Sequence, residues 1–190
     1  PDAHVMLGMG YGDHRKGLDL FVDTAMRVIA DEARAAAIWV GHLDRKVADA
    51  QVRRIAAAGL KDRILLPGRT DQPHDFYAAA DVYLLTSRED PFPSVVMEAL
   101  DAELPVVSFS GVGGTDGLIG RGCGMLVPAF DTDAMADAAA ELFAEPARAE
   151  RFGRTGRDIV EREFSFRHYL HDLLEMAGRP LPRVSVIVPN

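Results

Sequence analysis

Two cationic residues follow a glycine-rich turn near the start of the sequence. The turn runs from Gly8 to Gly17 and contains Arg15 and Lys16 just before a predicted helix. A flexible backbone with two cations at a helix start suits a diphosphate. The alternative is a glycine-rich turn with a solvated Arg-Lys pair. The turn matches a dinucleotide fingerprint poorly, because its third glycine follows the second by two residues and not three.

A second turn combines two acids with a helix start. Pro93 is predicted at the first helical position, which would leave the N–H groups of Ser94 and Val95 free to hold an anion. Asp90 and Glu98, eight residues apart, would flank that anion. Carboxylates accept hydrogen bonds from hydroxyls, so sugar and ribose hydroxyls are suitable partners. The alternative is that both acids only favour the positive end of the helix, at about 0.3–1 kcal/mol each.

The elements that must position these turns form a repeating pattern of strands and helices. Short apolar runs without polar alternation predict strands that are buried on both faces. These runs are His4–Leu7, Ala37–Val40, Arg63–Leu66, Val82–Thr86, Pro105–Phe109 and Gly124–Val127. Helical patterns lie between or after them at 17–33, 45–58, 73–79, 94–102 and 133–144. The alternation predicts an α/β fold, a Rossmann-like three-layer α/β/α arrangement around a parallel sheet of about six strands.

The last third of the sequence reads differently. It predicts extra C-terminal helices, the last at about 166–177 with a stripe of Phe166, Leu170, Leu173 and Leu174. A strand-like run, Val184–Asn190, follows. The predicted division is a domain over 1–178 and a linker with the first strand of another domain over 179–190. The alternative for the tail is an edge strand or a disordered end. Because the first residue is Pro1, we expect a piece of a longer protein.

Composition excludes several classes of protein. The 190 residues are 48% hydrophobic and 26% charged, as in an ordinary globular domain. The net charge of −8 argues against a nucleic-acid partner. The one cysteine, Cys123, rules out an internal disulfide framework and fits a reducing cytoplasmic location. Asp131-Thr132-Asp133 resembles a metal motif, but helix capping explains it better.

Taken together, these motifs resemble the donor-binding domain of family 4 glycosyltransferases, which have the GT-B architecture. The resemblance spans about residues 4–178. It includes the turns and strands Arg15-Lys16-Gly17, Trp39-Val40-Gly41, Leu66-Pro67-Gly68-Arg69, Phe76-Tyr77-Ala78-Ala79-Ala80-Asp81-Val82 and the acid pair Asp90 and Glu98. The tail resembles the opening strand of family 2 glycosyltransferases, which have the GT-A fold.

The family resemblance implies a role for each matching residue. Lys16 and Arg15 would bind the donor diphosphate as it leaves, and Asp90 would contact the transferred sugar. Glu98 would hold the ribose. The remaining implied donor contacts are Gly10, Gly68, Arg69, Thr70, Phe92, Pro93, Ser94 and Val95. The implied reaction is retaining transfer from a nucleotide-diphosphate sugar, without a metal or other cofactor, in cytoplasmic polysaccharide biosynthesis.

Three positions depart from the family pattern. Asp90 stands where the family has glutamate, which shortens the side chain by one methylene. Gly10 stands where many members have an arginine, so one cationic phosphate contact is missing or Arg15 replaces it. The Gly111–Asp116 loop resembles the family's Gly-Gly loop but lacks its usual glutamate.

The partners implied are a nucleotide-sugar donor and an N-terminal acceptor domain that this sequence lacks. We therefore expect the isolated chain to bind a nucleoside diphosphate weakly, to transfer nothing and to self-associate through its uncovered last helix. Arg148, Arg151, Arg154 and Arg157 could contact an anionic membrane, although a solvated helix face explains them better. The alternatives are a non-catalytic nucleotide-binding scaffold, a nucleotide-sugar epimerase or phosphorylase of the same architecture and, least favoured, a dehydrogenase.

Overall fold

A computed structural model of the protein describes residues 3–164 and 166–178. The predicted tail strand Val184–Asn190 and the side chain of Phe166 lie outside the described part. Six strands form one sheet, and every strand pair in it is parallel. The strands are β1 His4–Met9, β2 Ala35–Val40, β3 Ile64–Gly68, β4 Val82–Leu85, β5 Val106–Phe109 and β6 Gly124–Val127.

Helices connect successive strands and then continue beyond the sheet. The connecting helices are α1 Leu18–Asp31, α2 Arg45–Ala57, α3 Pro73–Ala78, α4 Ser94–Asp101 and α5 Asp116–Ile119. The C-terminal helices are α6 Thr132–Ala144, α7 Pro146–Glu163 and α8 Phe166–Met176. The predicted fold class, with its extra C-terminal helices, is confirmed. No described helix is long and apolar enough to span a membrane.

Two apolar clusters, one on each face of the sheet, form the core. Met6 and Leu84 face one cluster, in which α1 and α6 contribute side chains such as Phe21 and Met135. Their strand neighbours, such as Leu7 and Tyr83, face the other cluster with side chains of α4 and α7. Burying one such side chain contributes about 1.5–3 kcal/mol. Both faces of the central strands β4 and β5 therefore need apolar residues, which explains their uninterrupted apolar runs.

The order of the strands determines which turns can meet. The order is β3-β2-β1-β4-β5-β6, so the chain winds outward in one direction from β1 and in the other direction from β4. Met6 pairs with Ala37 on one side and with Val82 on the other. A crevice opens at the carboxyl ends of the strands where the winding direction changes. The turns that follow β1 and β4 lie at this point, and they contain Lys16 and Asp90.

Two of the lesser sequence motifs lie on the C-terminal helices. Asp131 caps α6, because its side chain accepts a hydrogen bond from the Ala134 amide at 2.9 Å, so the capping prediction is confirmed. On α7, the arginines at 148, 154 and 157 each form an ion pair with a glutamate. Their charge is therefore largely compensated. On α8, Tyr169, Leu170, Leu173 and Met176 are exposed.

Candidate functional site

The turn after β1 is held in a tight loop that ends at the start of α1. Asp13 accepts a hydrogen bond from the Lys16 amide at 2.7 Å through its carboxylate and one from the Gly17 amide at 3.1 Å through its carbonyl. Gly17 precedes α1 with φ 76°, a left-handed conformation that favours glycine. The turn thus places Lys16 directly before Gly17, the N-cap of α1, so that α1 begins one residue later than the predicted start at 17.

Lys16 and Asp90 form an ion pair across the two turns. The side chain of Lys16 is 16% exposed and that of Asp90 is 9% exposed. Asp90 also accepts a hydrogen bond from the Ser87 hydroxyl at 3.3 Å. The predicted convergence of a cation and an acid at one position is therefore present, and the two groups contact each other directly.

The backbones of the two turns are also joined. The Arg88 amide donates to the Arg15 carbonyl at 2.7 Å, and the Arg15 guanidinium donates to the Glu89 carbonyl at 3.1 Å. The Thr86 hydroxyl donates to the Gly17 carbonyl at 3.0 Å. These bonds fix the turn after β1 against the turn after β4, so the ion pair lies on a rigid base.

Pro93 is not the first helical residue, which corrects one sequence prediction. It is the N-cap of α4, with φ −73° and ψ 124°, and its extended conformation ends the preceding loop. Ser94 and Val95 are then the first two helical residues. Within the described part of the chain, their amides donate no hydrogen bond. The functional part of the prediction, two free amides at a helix start, is therefore retained.

Glu98 lies one turn inside α4 and is anchored by a residue to which sequence reasoning gave no role of its own. The buried Tyr77 hydroxyl of α3 donates to the Glu98 carboxylate at 3.1 Å and also lies 3.3 Å from the Val95 carbonyl. Burial raises the pKa of Tyr77 far above its ordinary value, and the charges of Tyr83 and Glu98 add to this. Tyr77 therefore remains a hydrogen-bond donor at any physiological pH.

A third turn, after β5, completes the surroundings of Asp90. Gly113 forms a parallel bridge with Asp90, and the Gly114 amide donates to the Asp90 carbonyl at 3.2 Å. A Cβ on Gly113 would collide with the Asp90 carbonyl, and one on Gly114 with that of Pro91. The two adjacent glycines were the sequence signal for this contact, because only glycine allows the backbones to approach so closely.

The remaining predicted residues lie along the same edge of the sheet. Gly68 ends β3, and its carbonyl accepts a hydrogen bond from the Gly41 amide at 2.9 Å. Gly41 in turn packs against Gly10, which lies beside the Lys16 side chain. Arg69 is exposed and Thr70 half-buried, with the Thr70 hydroxyl accepting from the Gln72 amide at 3.0 Å.

Of the two residues directly before α4, Phe92 is exposed and Pro93 is buried. Phe92 stacks on Phe164 at the end of α7, with ring centroids 5.6 Å apart. The stack connects the loop beside Asp90 to the junction between α7 and α8. Sequence reasoning did not anticipate this contact, because the two residues are far apart in the chain.

Comparisons with known proteins identify the family of the chain. The sequence model described as Glycosyl transferases group 1 matches residues 3–145. A similar relative is the lipopolysaccharide core biosynthesis mannosyltransferase LpsB of Rhizobium meliloti, 30% identical over 158 residues that make up 80% of this chain and 45% of LpsB. The chain spans about half the length of LpsB and of similar curated relatives.

Solved structures share the fold. Anabaena HepE, crystallised with UDP and glucose, superposes with a TM-score of 0.84 at 20% identity, over 93% of this chain and 48% of HepE. The C-terminal domain of the group 1 glycosyl transferase LpcC from Francisella tularensis superposes with a TM-score of 0.78 at 17% identity, over 86% of this chain and 88% of that domain. The described fold is thus that of one domain of a GT-B protein.

Proposed function

The chain belongs to the group 1 glycosyl transferases, and from this membership we propose that it is the donor-binding half of a retaining enzyme that transfers a sugar from a nucleotide-diphosphate sugar to a glycan or glycolipid acceptor. The observation that carries the proposal is the contact between Lys16 and Asp90 at the strand-order reversal, beside the free amides of Ser94 and Val95. The UDP and glucose bound in the HepE crystal support a donor of this class.

Donor binding would exchange the partners of the ion pair. In the free protein, the ammonium of Lys16 and the carboxylate of Asp90 compensate each other. A bound donor would offer phosphate oxygens to Lys16 and sugar hydroxyls to Asp90. Each charge would keep a partner, which matters because a largely buried charge without one is costly. The exchange explains how a carboxylate can lie at a phosphate site.

Lys16 and the α4 amides would then act on the leaving group. As the bond between sugar and phosphate breaks, negative charge grows on the diphosphate. Fixed positive groups that already point at this charge stabilise the transition state without reorganising. Arg15 lies in the same turn, with its guanidinium bonded to the Glu89 carbonyl. Asp90 would hold the sugar while the acceptor attacks from the face that the diphosphate leaves.

Calorimetric titration of the chain with UDP, GDP, ADP and NAD tests the proposal. We expect one of the three nucleoside diphosphates to bind and NAD to give no heat. The identity of that diphosphate would also assign the donor base. Absence of binding by all three, or binding of NAD alone, would overturn the proposal. Transfer itself is expected only when the part of the enzyme that supplies the acceptor site is present.

Replacing Tyr77 by phenylalanine is expected to weaken binding of that nucleoside diphosphate about 3- to 10-fold. Glu98, proposed to hold the ribose, would lose a hydrogen bond that orients its carboxylate. A bond to a charged group contributes about 1.5–3 kcal/mol, and only part of that loss should appear as lost affinity, because the Glu98 carboxylate itself remains. Isothermal titration calorimetry measures the change.

Tyr83→Phe is the matched control, because the Tyr83 hydroxyl is equally buried but donates to the Met9 carbonyl at 3.2 Å. Both variants would lose a little stability, but only Tyr77→Phe should lose affinity. Equal affinity losses in the two variants would contradict a role for Glu98 at the ribose.

A further inference from the structure

Arg88, in the turn after β4, bonds to three residues in and just after the turn that follows β1, and no step of the proposed reaction uses it. Its Nη1 donates to the Asp19 carboxylate at 2.8 Å and to the His14 carbonyl at 2.6 Å, and its Nη2 donates to the other Asp19 oxygen at 2.8 Å. The pair is largely shielded, with side chains of Arg88 and Asp19 21% and 26% exposed. A two-pronged bond of this kind fixes direction as well as distance.

The residues that Arg88 contacts lie on both sides of Lys16 along the chain. His14 and Arg15 precede Lys16, and Asp19 follows it in the first turn of α1. Arg88 contacts all three, since its own amide also donates to the Arg15 carbonyl at 2.7 Å. The backbone position of Lys16 is therefore defined on both sides by one residue of the turn after β4, the same turn that contains Asp90.

Fixing this backbone matters because lysine is a flexible cation. Its side chain has four rotatable bonds and loses about 2 kcal/mol of rotamer entropy when it is held in one place. A displacement of about 1 Å in a positioning contact can reduce the rate about 100-fold. A rigid base beneath Lys16 limits the volume that its ammonium can reach.

Arg88 also provides the Asp19 carboxylate, which lies near Lys16 in the chain, with a cationic partner. Burial tends to raise the pKa of Asp19, but the hydrogen bonds and charge of Arg88 outweigh this effect and hold it below its ordinary value. Asp19 is therefore ionised at neutral pH, three residues from Lys16. Without Arg88, this carboxylate would have no guanidinium partner and would be free to attract the Lys16 ammonium away from a phosphate.

We propose that Arg88 and Asp19 are positioning residues that hold Lys16 at the distal phosphate of the bound nucleoside diphosphate. The inference rests on the proposed function, because it requires a diphosphate at Lys16. It goes further in assigning a role to a pair that neither binds the donor nor takes part in the transfer.

The test compares each nucleoside diphosphate with its monophosphate. UDP and UMP, GDP and GMP, and ADP and AMP are titrated into the unmodified chain and into Arg88→Gln. We expect Arg88→Gln to lose about 10-fold in diphosphate affinity, the equivalent of about 1.4 kcal/mol, and to keep monophosphate affinity within about 2-fold. Arg88→Lys, which can reach one partner but not all of them, should give an intermediate ratio.

Arg63→Gln is the matched control. Arg63 likewise donates from two guanidinium nitrogens, to the Ala35 and Glu32 carbonyls, but at the amino-terminal ends of β2 and β3, the edge of the sheet opposite to these turns. It should leave both affinities unchanged. Should Arg88→Gln fail to fold by circular dichroism, Asp19→Asn is measured in its place and interpreted in the same way.

The outcomes separate the two hypotheses. If the unmodified chain binds none of these nucleotides, the proposed function fails and the positioning role fails with it. If it binds a diphosphate more tightly than the monophosphate and Arg88→Gln keeps that ratio, only the positioning role is overturned. Equal losses for both nucleotides also overturn it, since they would indicate general loosening of the turns.

Discussion

Replacing Lys16 by alanine is expected to weaken nucleoside diphosphate binding about 10- to 100-fold. A hydrogen bond to a charged group contributes about 1.5–3 kcal/mol, and about 1.4 kcal/mol corresponds to a tenfold change in affinity. Lys16 is the cation that reaches the middle of the site, where it contacts Asp90. Isothermal titration calorimetry with the diphosphate that the unmodified chain binds measures the loss, and Lys61→Ala, at an exposed lysine, is the matched control.

The same substitution should also destabilise the fold. Asp90 would be left largely buried without its cation, and breaking a buried pair from one side costs up to about 3–5 kcal/mol. The double variant Lys16→Ala/Asp90→Asn removes the stranded charge. We expect it to regain most of the stability in urea denaturation while diphosphate affinity stays low. Recovery of affinity in the double variant would show that the loss came from misfolding and not from the missing ammonium.

The sheet could be predicted from the sequence because its central strands β4 and β5 are buried along their whole length and form continuous apolar runs. The edge strands β3 and β6 are partly exposed but are also apolar, and the sequence predicts all six strands within a few residues of their observed bounds. The start of β2 was placed too late, at Ala37 where the structure has Ala35. Alanine favours helices and carries little apolar surface, so the pattern at Ala35 and Ala36 does not predict a strand.

The charged residues of the site could be predicted for a different reason. Lys16 and Asp90 lie in turns at the carboxyl ends of strands, and such turns share one edge in any parallel sheet. Glu98 lies near the start of α4, the helix that follows one of these turns. The Glycosyl transferases group 1 match over residues 3–145 then agreed with the family suggested by the motifs.

Contacts that depend on strand order could not be read in this way. The turn after β4 lies between the turns after β1 and β5 only because β4 pairs with both strands. That order is set by the packing of the whole domain and not by any local pattern. Arg88 with Asp19, and Gly113 with Asp90, are products of this order. The residue types indicate that Arg88 can form an ion pair and that Gly113 allows a close backbone approach. They do not indicate which residue lies opposite each of them in the fold.

Gly17 offers the most direct test of whether the close approach of β4 determines the position of Lys16. Gly17→Ala is expected to destabilise the protein by about 3 kcal/mol, the combined cost of a left-handed conformation and of forcing an atom into packed space. Gly17 has φ 76°, and a Cβ there would collide with the backbone carbonyl of Thr86, which has no flexible end that could move aside. Either the turn or β4 must shift.

Gly59→Ala separates the two costs. Gly59 has nearly the same φ, 72°, but no atom lies within 4 Å of the position a Cβ would take. Gly59→Ala should lower the free energy of unfolding only by the cost of the left-handed conformation, about 1–2 kcal/mol. The difference between the two variants in urea denaturation therefore measures the collision with Thr86 alone. A larger loss for Gly17→Ala, together with weaker diphosphate binding, is the expected result. Equal losses would mean that the turn can relax away from β4, and the rigid support assigned to Lys16 would then be wrong.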